Sequence, residues 1–230
     1  MEAIILAGGR AERLGAAAGG RPKSLVEVGG RPLVSYQLAR LVAAGVSRVV
    51  VSCALGQGTL FESELTGLGA EIVAAEEPER LGRGGGIKFA ARQRSEVGDV
   101  YVLNGDELVD VDFAALLERH RSARGIATVA VAQPKSAFGV VELGEDDIVE
   151  GFSEGGRIPY WVNCGIYVFS PEVIERLPDL GDHETTTFLE LVHERNLRAY
   201  RHAGLWLTVN TPKELRTARE HIAAHPEWLA

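Results

Sequence analysis

The sequence predicts an α/β protein with a three-layer α/β/α fold, whose central sheet is mixed but mostly parallel. A continuous apolar run, Ile4-Ile5-Leu6, opens the chain and is typical of a strand covered on both faces. Predicted strands and helices alternate along the first half of the chain, which indicates parallel crossovers. Predicted strands cluster in the second half, and this cluster makes the predicted sheet mixed.

Local patterns support the elements of the first half. Val34, Leu38 and Leu41 form one apolar stripe at helical spacing, and Gly45 follows as a helix stop. Asp110 and Asp112 are expected to be turn and capping residues before the helix predicted at residues 113–124. The predicted strands are residues 1–6, 48–52, 71–75 and 99–103, and the predicted helices are residues 33–44, 57–68, 84–94 and 113–124.

In the second half, four predicted strands come before a helix. Ser170-Pro171 begins that helix, because proline suits the first helical position. The predicted strands are residues 126–133, 138–143, 148–152, 162–169 and 197–201, and the predicted helices are residues 171–177, 186–194 and 212–224.

Composition places the chain among ordinary globular proteins, and we expect a single domain over residues 1–230. The formal net charge of −8 argues against a nucleic-acid partner, which would favour a basic surface. Cys53 and Cys164 lack metal-ligand spacing and indicate reduced thiols in a cytoplasmic protein. No signal peptide precedes the first strand, and no apolar run approaches the about 20 residues of a membrane span.

The loop after the first strand has the features of a triphosphate-binding loop. Gly8-Gly9 lets backbone N–H groups approach an anion, and four basic residues stand close by against one acid, Glu12. A Walker loop and a dinucleotide fingerprint are both absent. An ordinary glycine turn with solvated arginines is the alternative. The four basic residues are Arg10, Arg13, Arg21 and Lys23.

A second candidate site follows the strand at residues 99–103. Asn104-Gly105-Asp106 ends this strand, and ligands of open α/β sheets bind outside the carboxyl ends of strands. An aspartate in this position is a candidate ligand for a divalent cation. A simple turn aspartate is the alternative.

Together these motifs resemble those of the sugar-1-phosphate nucleotidyltransferases. The resemblance rests on Leu6-Ala7-Gly8-Gly9-Arg10-Ala11-Glu12-Arg13-Leu14 and on Pro22-Lys23-Ser24-Leu25, although Ala11 and Glu12 replace the usual Gly and Thr. It implies a Rossmann-like, GT-A-like nucleotidyltransferase fold, with an NTP-binding half at residues 1–112 and a sugar-phosphate-binding half at residues 113–230. The segment from Glu77 to Ile87 is similar to that of mannose- and heptose-1-phosphate guanylyltransferases, which favours GTP.

The resemblance implies roles for individual residues. It assigns catalysis to Arg13, Lys23 and Asp106, and the sugar to Gly139, Glu154 and Asn163. It assigns Mg²⁺ to Asp106 and Asn210. The residues that it assigns to the nucleotide are Leu6, Ala7, Gly8, Gly9, Arg10, Gly82, Gly84 and Gly85.

Two departures from the family pattern bear on the site. Thr208 stands where many relatives carry a metal-binding aspartate, so Asn210 is our candidate for the second ligand; helix capping by Asn210 and Thr211 is the alternative. Gly155 stands where the family has a phosphate-binding lysine. Therefore Lys23, Lys135 or Arg157 would hold the acceptor phosphate, or the acceptor differs. Lys23, Lys135, Gly155 and Arg157 are the residues that bear on this second departure.

The predicted activity is Mg²⁺-dependent transfer of a nucleotidyl group from an NTP to a sugar 1-phosphate, giving an NDP-sugar and pyrophosphate. A molybdopterin- or methylerythritol-type nucleotidyltransferase and a non-catalytic nucleotide-binding scaffold are the alternatives. We expect NTP and sugar 1-phosphate as partners, and no nucleic acid or membrane; a homodimer is one candidate assembly. His183, His221 and His225 are expected on a solvated surface, because no third metal ligand is spaced near them.

Overall fold

The computed structural model of the chain describes residues 1–9, 11–136 and 138–229. Its strands are β1 (Glu2–Leu6), β2 (Glu27–Val28), β3 (Arg31–Pro32), β4 (Arg48–Ala54), β5 (Glu71–Glu77), β6 (Val100–Asn104), β7 (Glu107–Val109), β8 (Ala127–Ala132), β9 (Val140–Leu143), β10 (Val149–Ser153), β11 (Val162–Phe169), β12 (Leu197–Arg201) and β13 (Trp206–Thr208). Its α-helices are α1 (Leu33–Ala43), α2 (Gly58–Leu65), α3 (Gly82–Ala91), α4 (Phe113–Ser122), α5 (Pro171–Arg176), α6 (Thr187–His193) and α7 (Pro212–Ala224).

The central sheet has seven strands in the order β12-β8-β11-β6-β1-β4-β5. β11 is antiparallel to both β6 and β8, and the other neighbouring pairs are parallel. The prediction of a mixed, mostly parallel sheet is therefore confirmed. The sheet contains strands from both halves of the sequence. That the first half binds the NTP and the second half binds the sugar phosphate stays a prediction.

Helices cover both faces of this sheet. Successive residues of β1 point to opposite faces, so Ile5 packs in one buried cluster and Ile4 in the other. The Ile5 cluster contains residues of α1, α2 and α4, and the Ile4 cluster contains residues of α3, α5 and α6. A third cluster joins α7 to the segment after the first loop, through Ile222 and Leu14 among others. The predicted three layers are present.

Two predicted strands lie outside the central sheet. β9 and β10 correspond to the strands predicted at residues 138–143 and 148–152, and they pair only with each other. The side chains of this hairpin are largely exposed, and Leu143 and Phe152 are 63% and 69% exposed. The short antiparallel pair formed by β7 and β13 was not predicted from the sequence.

The predicted helix starts follow capping chemistry. The side chain of Asp112 accepts a hydrogen bond from the backbone N–H of Ala115 at 2.9 Å, so Asp112 is the N-cap of α4 as predicted. Thr211 is the N-cap of α7 and accepts from the backbone N–H of Glu214 at 3.3 Å. A threonine followed three residues later by glutamate is a capping box.

Both cysteines and one histidine are deeply buried. Cys53 and Cys164 are free, and burial raises the pKa of each thiol to about 12, so neither is a reactive thiolate. His183 is fully buried, so the expectation that it is solvated was wrong. None of the helices in the described residues is long and apolar enough to cross a membrane.

Candidate active site

A cavity of about 520 Å³ opens at the carboxyl ends of β1 and β6. These strands are adjacent and parallel, so Leu6 and Asn104 end beside each other. Polar and charged side chains predominate around the cavity. Its lining residues are Leu6, Gly8, Gly9, Arg13, Lys23, Ser24, Glu77, Arg80, Gly82, Arg83, Asn104, Asp106, Glu107, Thr208 and Asn210.

The loop after β1 forms one wall of this cavity. The backbone N–H of Ala7 donates to the carbonyl of Ser52 at 2.7 Å, which continues the sheet one residue beyond the strand. Gly8 and Gly9 then line the cavity, whereas Ala7 is buried behind it. Arg10, which was also predicted to bind the nucleotide, lies outside the described residues.

A close backbone approach places Asp106 next to the end of β1. The backbone N–H of Gly105 donates to the carbonyl of Leu6 at 2.9 Å. A Cβ atom on Gly105 would lie 3.0 Å from that carbonyl oxygen and 2.9 Å from the Cγ2 of Ile5. Because only glycine fits this contact, the Asn-Gly-Asp sequence brings the carboxylate to the loop of the first strand.

Two predicted cations and two predicted metal ligands meet in the cavity. The ammonium of Lys23 forms an ion pair with Asp106 and donates to the Oδ1 of Asn210 at 2.5 Å. Arg13 donates to the same amide oxygen at 2.9 Å. The Lys23 side chain is only 10% exposed, so its charge is held in place by these oxygens. Residues far apart in the sequence therefore converge on one point.

This donor set fits a magnesium ion that also contacts a phosphate. The carboxylate of Asp106 and the amide oxygen of Asn210 already converge on a single cationic atom, the Nζ of Lys23. Mg²⁺ prefers oxygen ligands and is usually bound by one or two carboxylates together with substrate phosphates. The described residues contain no group of three or more His, Cys, Asp or Glu side chains that could hold a metal. Phosphate oxygens and water molecules would complete the coordination of the ion.

The structure separates the two roles that were considered for Asn210. Thr211, not Asn210, caps α7, and this leaves the Asn210 side chain to contact Lys23 and Arg13. Glu214 holds the segment by accepting from the backbone N–H of Asn210 at 2.9 Å and from the hydroxyl of Thr208 at 2.9 Å. Burial works to raise the pKa of Glu214, but these hydrogen bonds outweigh it and lower the pKa.

Two acidic residues line the cavity without having been assigned a role. Glu107 is buried beside Asp106; burial, and then the charge of Asp106, raise the pKa of Glu107 well above its ordinary value. Glu77 accepts from the hydroxyl of Ser52 at 2.6 Å and from the backbone N–H of Leu81 at 3.1 Å. Glu77 thus anchors the loop before α3. Adjacency to the Asn-Gly-Asp motif was the only signal in the sequence for Glu107.

The glycines at the start of α3 serve close packing. Gly82 lines the cavity, but Gly84 and Gly85 do not. The backbone N–H groups of Gly84 and Gly85 donate to the carbonyl of Gly181 at 2.9 and 3.3 Å. A Cβ on Gly85 would lie 2.5 Å from the carbonyl oxygen of Asp179. Their assignment to the nucleotide stays a prediction.

The three predicted sugar-binding residues lie away from this cavity. Gly139 and Glu154 are neighbours on the hairpin, because a Cβ on Gly139 would lie 3.4 Å from the Oε2 of Glu154. The amide of Asn163 donates to the Oε1 of Glu184 at 2.8 Å, and Arg83 of the cavity wall donates to the same oxygen at 2.9 Å. Asn163 is thus linked to the cavity through two side chains, and the sugar assignment stays a prediction.

The chain is similar to known nucleotidyltransferases. The family model described as Nucleotidyl transferase matches residues 2–225. A mannose-1-phosphate guanylyltransferase from Mycobacterium tuberculosis is 33% identical over 227 residues, which cover 93% of this chain and 62% of that protein. A mannose-1-phosphate guanyltransferase 2 from Candida glabrata is 30% identical and covers 100% of this chain and 68% of that protein. The chain thus spans about two thirds, or somewhat less, of the length of these relatives.

A solved structure supports the fold. The crystal structure of HddC from Yersinia pseudotuberculosis complexed with GMP-PN superposes with a TM-score of 0.74 at 23% identity. The match covers 96% of this chain and 99% of that chain.

Proposed function

The chain belongs to the nucleotidyl transferase family, and on that premise we propose that it transfers a nucleotidyl group from an NTP to a sugar 1-phosphate. The products are an NDP-sugar and pyrophosphate. This family membership confirms the resemblance that the motifs of the first loop indicated. The convergence of Lys23, Arg13, Asp106 and Asn210 in one cavity is the observation that carries the proposed activity.

We propose GTP as the nucleotide donor. The support is similarity to guanylyltransferases, both in the glycine-dense segment from Gly82 to Gly86 and in the names of the relatives from M. tuberculosis and C. glabrata. The same names make mannose 1-phosphate the first acceptor to test. The net charge of −8 supports small-molecule partners over nucleic acid, and we propose a cytoplasmic location on the strength of the two buried thiols.

The cavity suits a reaction that needs charge neutralisation rather than a general base. A sugar phosphate has a second pKa of about 6 and is a dianion near neutral pH, so its oxygen is already a nucleophile. Attack on the α-phosphorus breaks the bond to the pyrophosphate, which leaves with the electron pair. Lys23 and Arg13 would neutralise the phosphate oxygens and hold the α-phosphate for in-line attack, with the acceptor oxygen opposite the leaving pyrophosphate.

Asp106 and Asn210 would hold Mg²⁺ in this site. When bound, the ion supplies positive charge to the phosphate oxygens and orients them. Lys23 lies against both ligands and neutralises Asp106 directly, which keeps the carboxylate and the amide oxygen turned into the cavity. Glu214 fixes the backbone N–H of Asn210 from the other side, so the amide is held between α7 and the first loop.

Pyrophosphate release tests the proposed function. Each of GTP, ATP, UTP, CTP and dTTP is paired with mannose, glucose and heptose 1-phosphates in the presence of Mg²⁺. Release that requires both an NTP and a sugar phosphate is the expected result, with GTP the best donor. Binding of Mg²⁺-NTP with no turnover of any pair would contradict the proposal and would favour a scaffold.

A further inference from the structure

A second and larger cavity, of about 700 Å³, lies on the other side of Thr208. It is enclosed by β13, the first turns of α7 and the segment that follows β8. Thr208 lines both this cavity and the candidate active site, so the two spaces adjoin at that residue. The lining of the second cavity is Ala132, Gln133, Pro134, Lys135, Arg157, Ala203, Gly204, Leu205, Trp206, Leu207, Thr208, Thr211, Lys213, Glu214 and Thr217.

Two basic residues of this lining, Lys135 and Arg157, lie opposite each other on two loop segments. Lys135 and Arg157 form an isolated antiparallel bridge, flanked by hydrogen bonds from Ser136 N–H to the carbonyl of Gly156 and from Ile158 N–H to that of Pro134. These flanking bonds make Lys135 and Arg157 a non-hydrogen-bonded pair, the arrangement in which opposite side chains are closest. Like charges directly opposite each other are destabilising. The fold therefore brings two positive charges together at a cost.

Within the described residues, this cost is not offset by acids. No carboxylate there lies within salt-bridge distance of Lys135 or Arg157; the guanidinium of Arg157 makes one hydrogen bond, to the carbonyl of Gln133 at 3.0 Å. Lys213 adds a third positive charge from α7. The one lining carboxylate, Glu214, is engaged by Thr208, Thr211 and the backbone of Asn210. Three cations against one acid favour an anionic ligand.

We propose that this second cavity holds the phosphate of the sugar 1-phosphate acceptor through Lys135, Arg157 and Lys213. The inference rests on the proposed function and extends it to the acceptor. Trp206, Leu205 and Leu207 supply apolar surface for the sugar ring, and the hydroxyl groups of Thr211 and Thr217 supply polar contacts. From this position, the acceptor meets the nucleotide phosphates where the two cavities adjoin.

Steady-state kinetics of Lys135→Met, Arg157→Met and the double variant test the proposal. A hydrogen bond to a charged group is worth about 1.5–3 kcal/mol, so each single variant should raise the KM for the sugar phosphate by about tenfold or more. The KM for the NTP should change less than about twofold. Both side chains are exposed and lose a like-charge neighbour, so the variants should fold. Arg216→Met, an exposed cation of α7 outside the cavity lining, is the matched control and should leave both constants unchanged.

A binding measurement tests the acceptor site separately from the proposed enzymatic activity. Calorimetric titration of the wild-type protein with mannose 1-phosphate alone should show binding that the double variant loses and the Arg216→Met control keeps. If no NTP pair turns over but this difference is seen, the proposed function fails and the anion site stands. An unchanged acceptor KM in an active double variant would overturn the acceptor site. So would an effect confined to the NTP constants, which would indicate a regulatory anion instead.

Discussion

Asn210 is the residue whose role changes most between the sequence and the structure. As an amide beside Asp106, it offers an oxygen to a cation without a second negative charge, and Lys23 and Arg13 both donate to that oxygen. A carboxylate at Thr208 would have added a charge; the threonine hydroxyl instead donates to Glu214. The site therefore has one charged and one neutral candidate ligand for Mg²⁺.

This asymmetry predicts unequal effects of two substitutions. Asp106→Ala removes the charged ligand and should abolish Mg²⁺-dependent turnover. Asn210→Ala keeps the charge and should lower kcat/KM by about 100-fold while raising the Mg²⁺ concentration needed for half-maximal activity. Magnesium titration of pyrophosphate release measures both effects. Thr211→Ala in the adjacent cap is the control, and it should cost about 1 kcal/mol of stability without shifting the magnesium requirement. Full Mg²⁺-dependent turnover in Asn210→Ala would exclude the ligand role.

The sequence was informative about residues that belong to a motif. Glycine spacing and basic residues pointed to Lys23 and Arg13, and the Asn-Gly-Asp motif pointed to Asp106; the structure brings all three to one cavity. Glu77 was noted only as part of the glycine-dense segment, and Glu107 was marked only by its adjacency to the Asn-Gly-Asp motif, because the place of each in the site depends on which strands become neighbours. The pairing of Lys135 with Arg157 was equally hidden, since it depends on the register of two loop segments 22 positions apart.

At the scale of single elements, β1 is fixed at its start by a buried carboxylate. Glu2 is 1% exposed and accepts from the backbone N–H of Ser95 at 2.8 Å and from the Nε of Arg94 at 3.1 Å. Burial opposes ionisation, but hydrogen bonds from Ser95, Glu96 and Arg94 outweigh it and lower the pKa of Glu2. Glu2 thereby ties the first strand to the turn after α3.

Glu2→Gln should destabilise the protein by about 3 kcal/mol at neutral pH, because Arg94 is left buried without its carboxylate. The folded pKa is lowered, so the contribution of Glu2 is present above its unfolded pKa near 4.5 and is lost as pH falls through the folded value. The difference between the two proteins in urea unfolding should therefore shrink below about pH 4.5. Glu71→Gln, which removes the 61% exposed partner of Arg48, is the control and should cost less than about 1 kcal/mol. Equal losses in the two variants would contradict this assignment.

Most strands and helices were predictable, and the exceptions have a common cause. Strands of the central sheet have five to eight residues, and most of them are apolar, so their sequences identify them. β7 and β13 have three residues each and are stabilised by pairing with each other. The strands β9 and β10 were predicted as strands, but nearly all of their residues are exposed, and the sequence pattern did not show that they would pair outside the central sheet. The local sequence pattern thus predicted whether a segment forms a helix or a strand better than it predicted which strands pair.

At the scale of the whole molecule, one helical layer encloses a buried histidine. The layer of α3, α5 and α6 contains His183, fully buried against Phe188, Tyr167 and Phe169. Neither ring nitrogen has a hydrogen-bond partner among the described residues. Burial lowers the pKa of His183 to about 4, so this histidine is neutral in the folded protein at neutral pH.

This buried histidine predicts a pH dependence of stability. The unfolded chain binds a proton near pH 6.5 and the folded protein only near pH 4, so the free energy of unfolding should fall as pH drops through this interval. The loss attributable to this side chain is about 3 kcal/mol at most. His183→Leu should remove it, which urea unfolding at pH 7, 5.5 and 4.5 measures. His193→Gln, an exposed histidine, is the control. The same slope in wild type and His183→Leu would contradict the prediction.

The proposed reaction joins a nucleotide to a sugar phosphate beside Lys23 in the first cavity. The most direct measurement follows NDP-sugar and pyrophosphate together by chromatography, with GTP, mannose 1-phosphate and Mg²⁺, in the wild-type protein and in Lys23→Met. We expect one NDP-sugar for each pyrophosphate, and a loss of about 100-fold in Lys23→Met. Pyrophosphate without NDP-sugar, or equal rates in the two proteins, would contradict the claim.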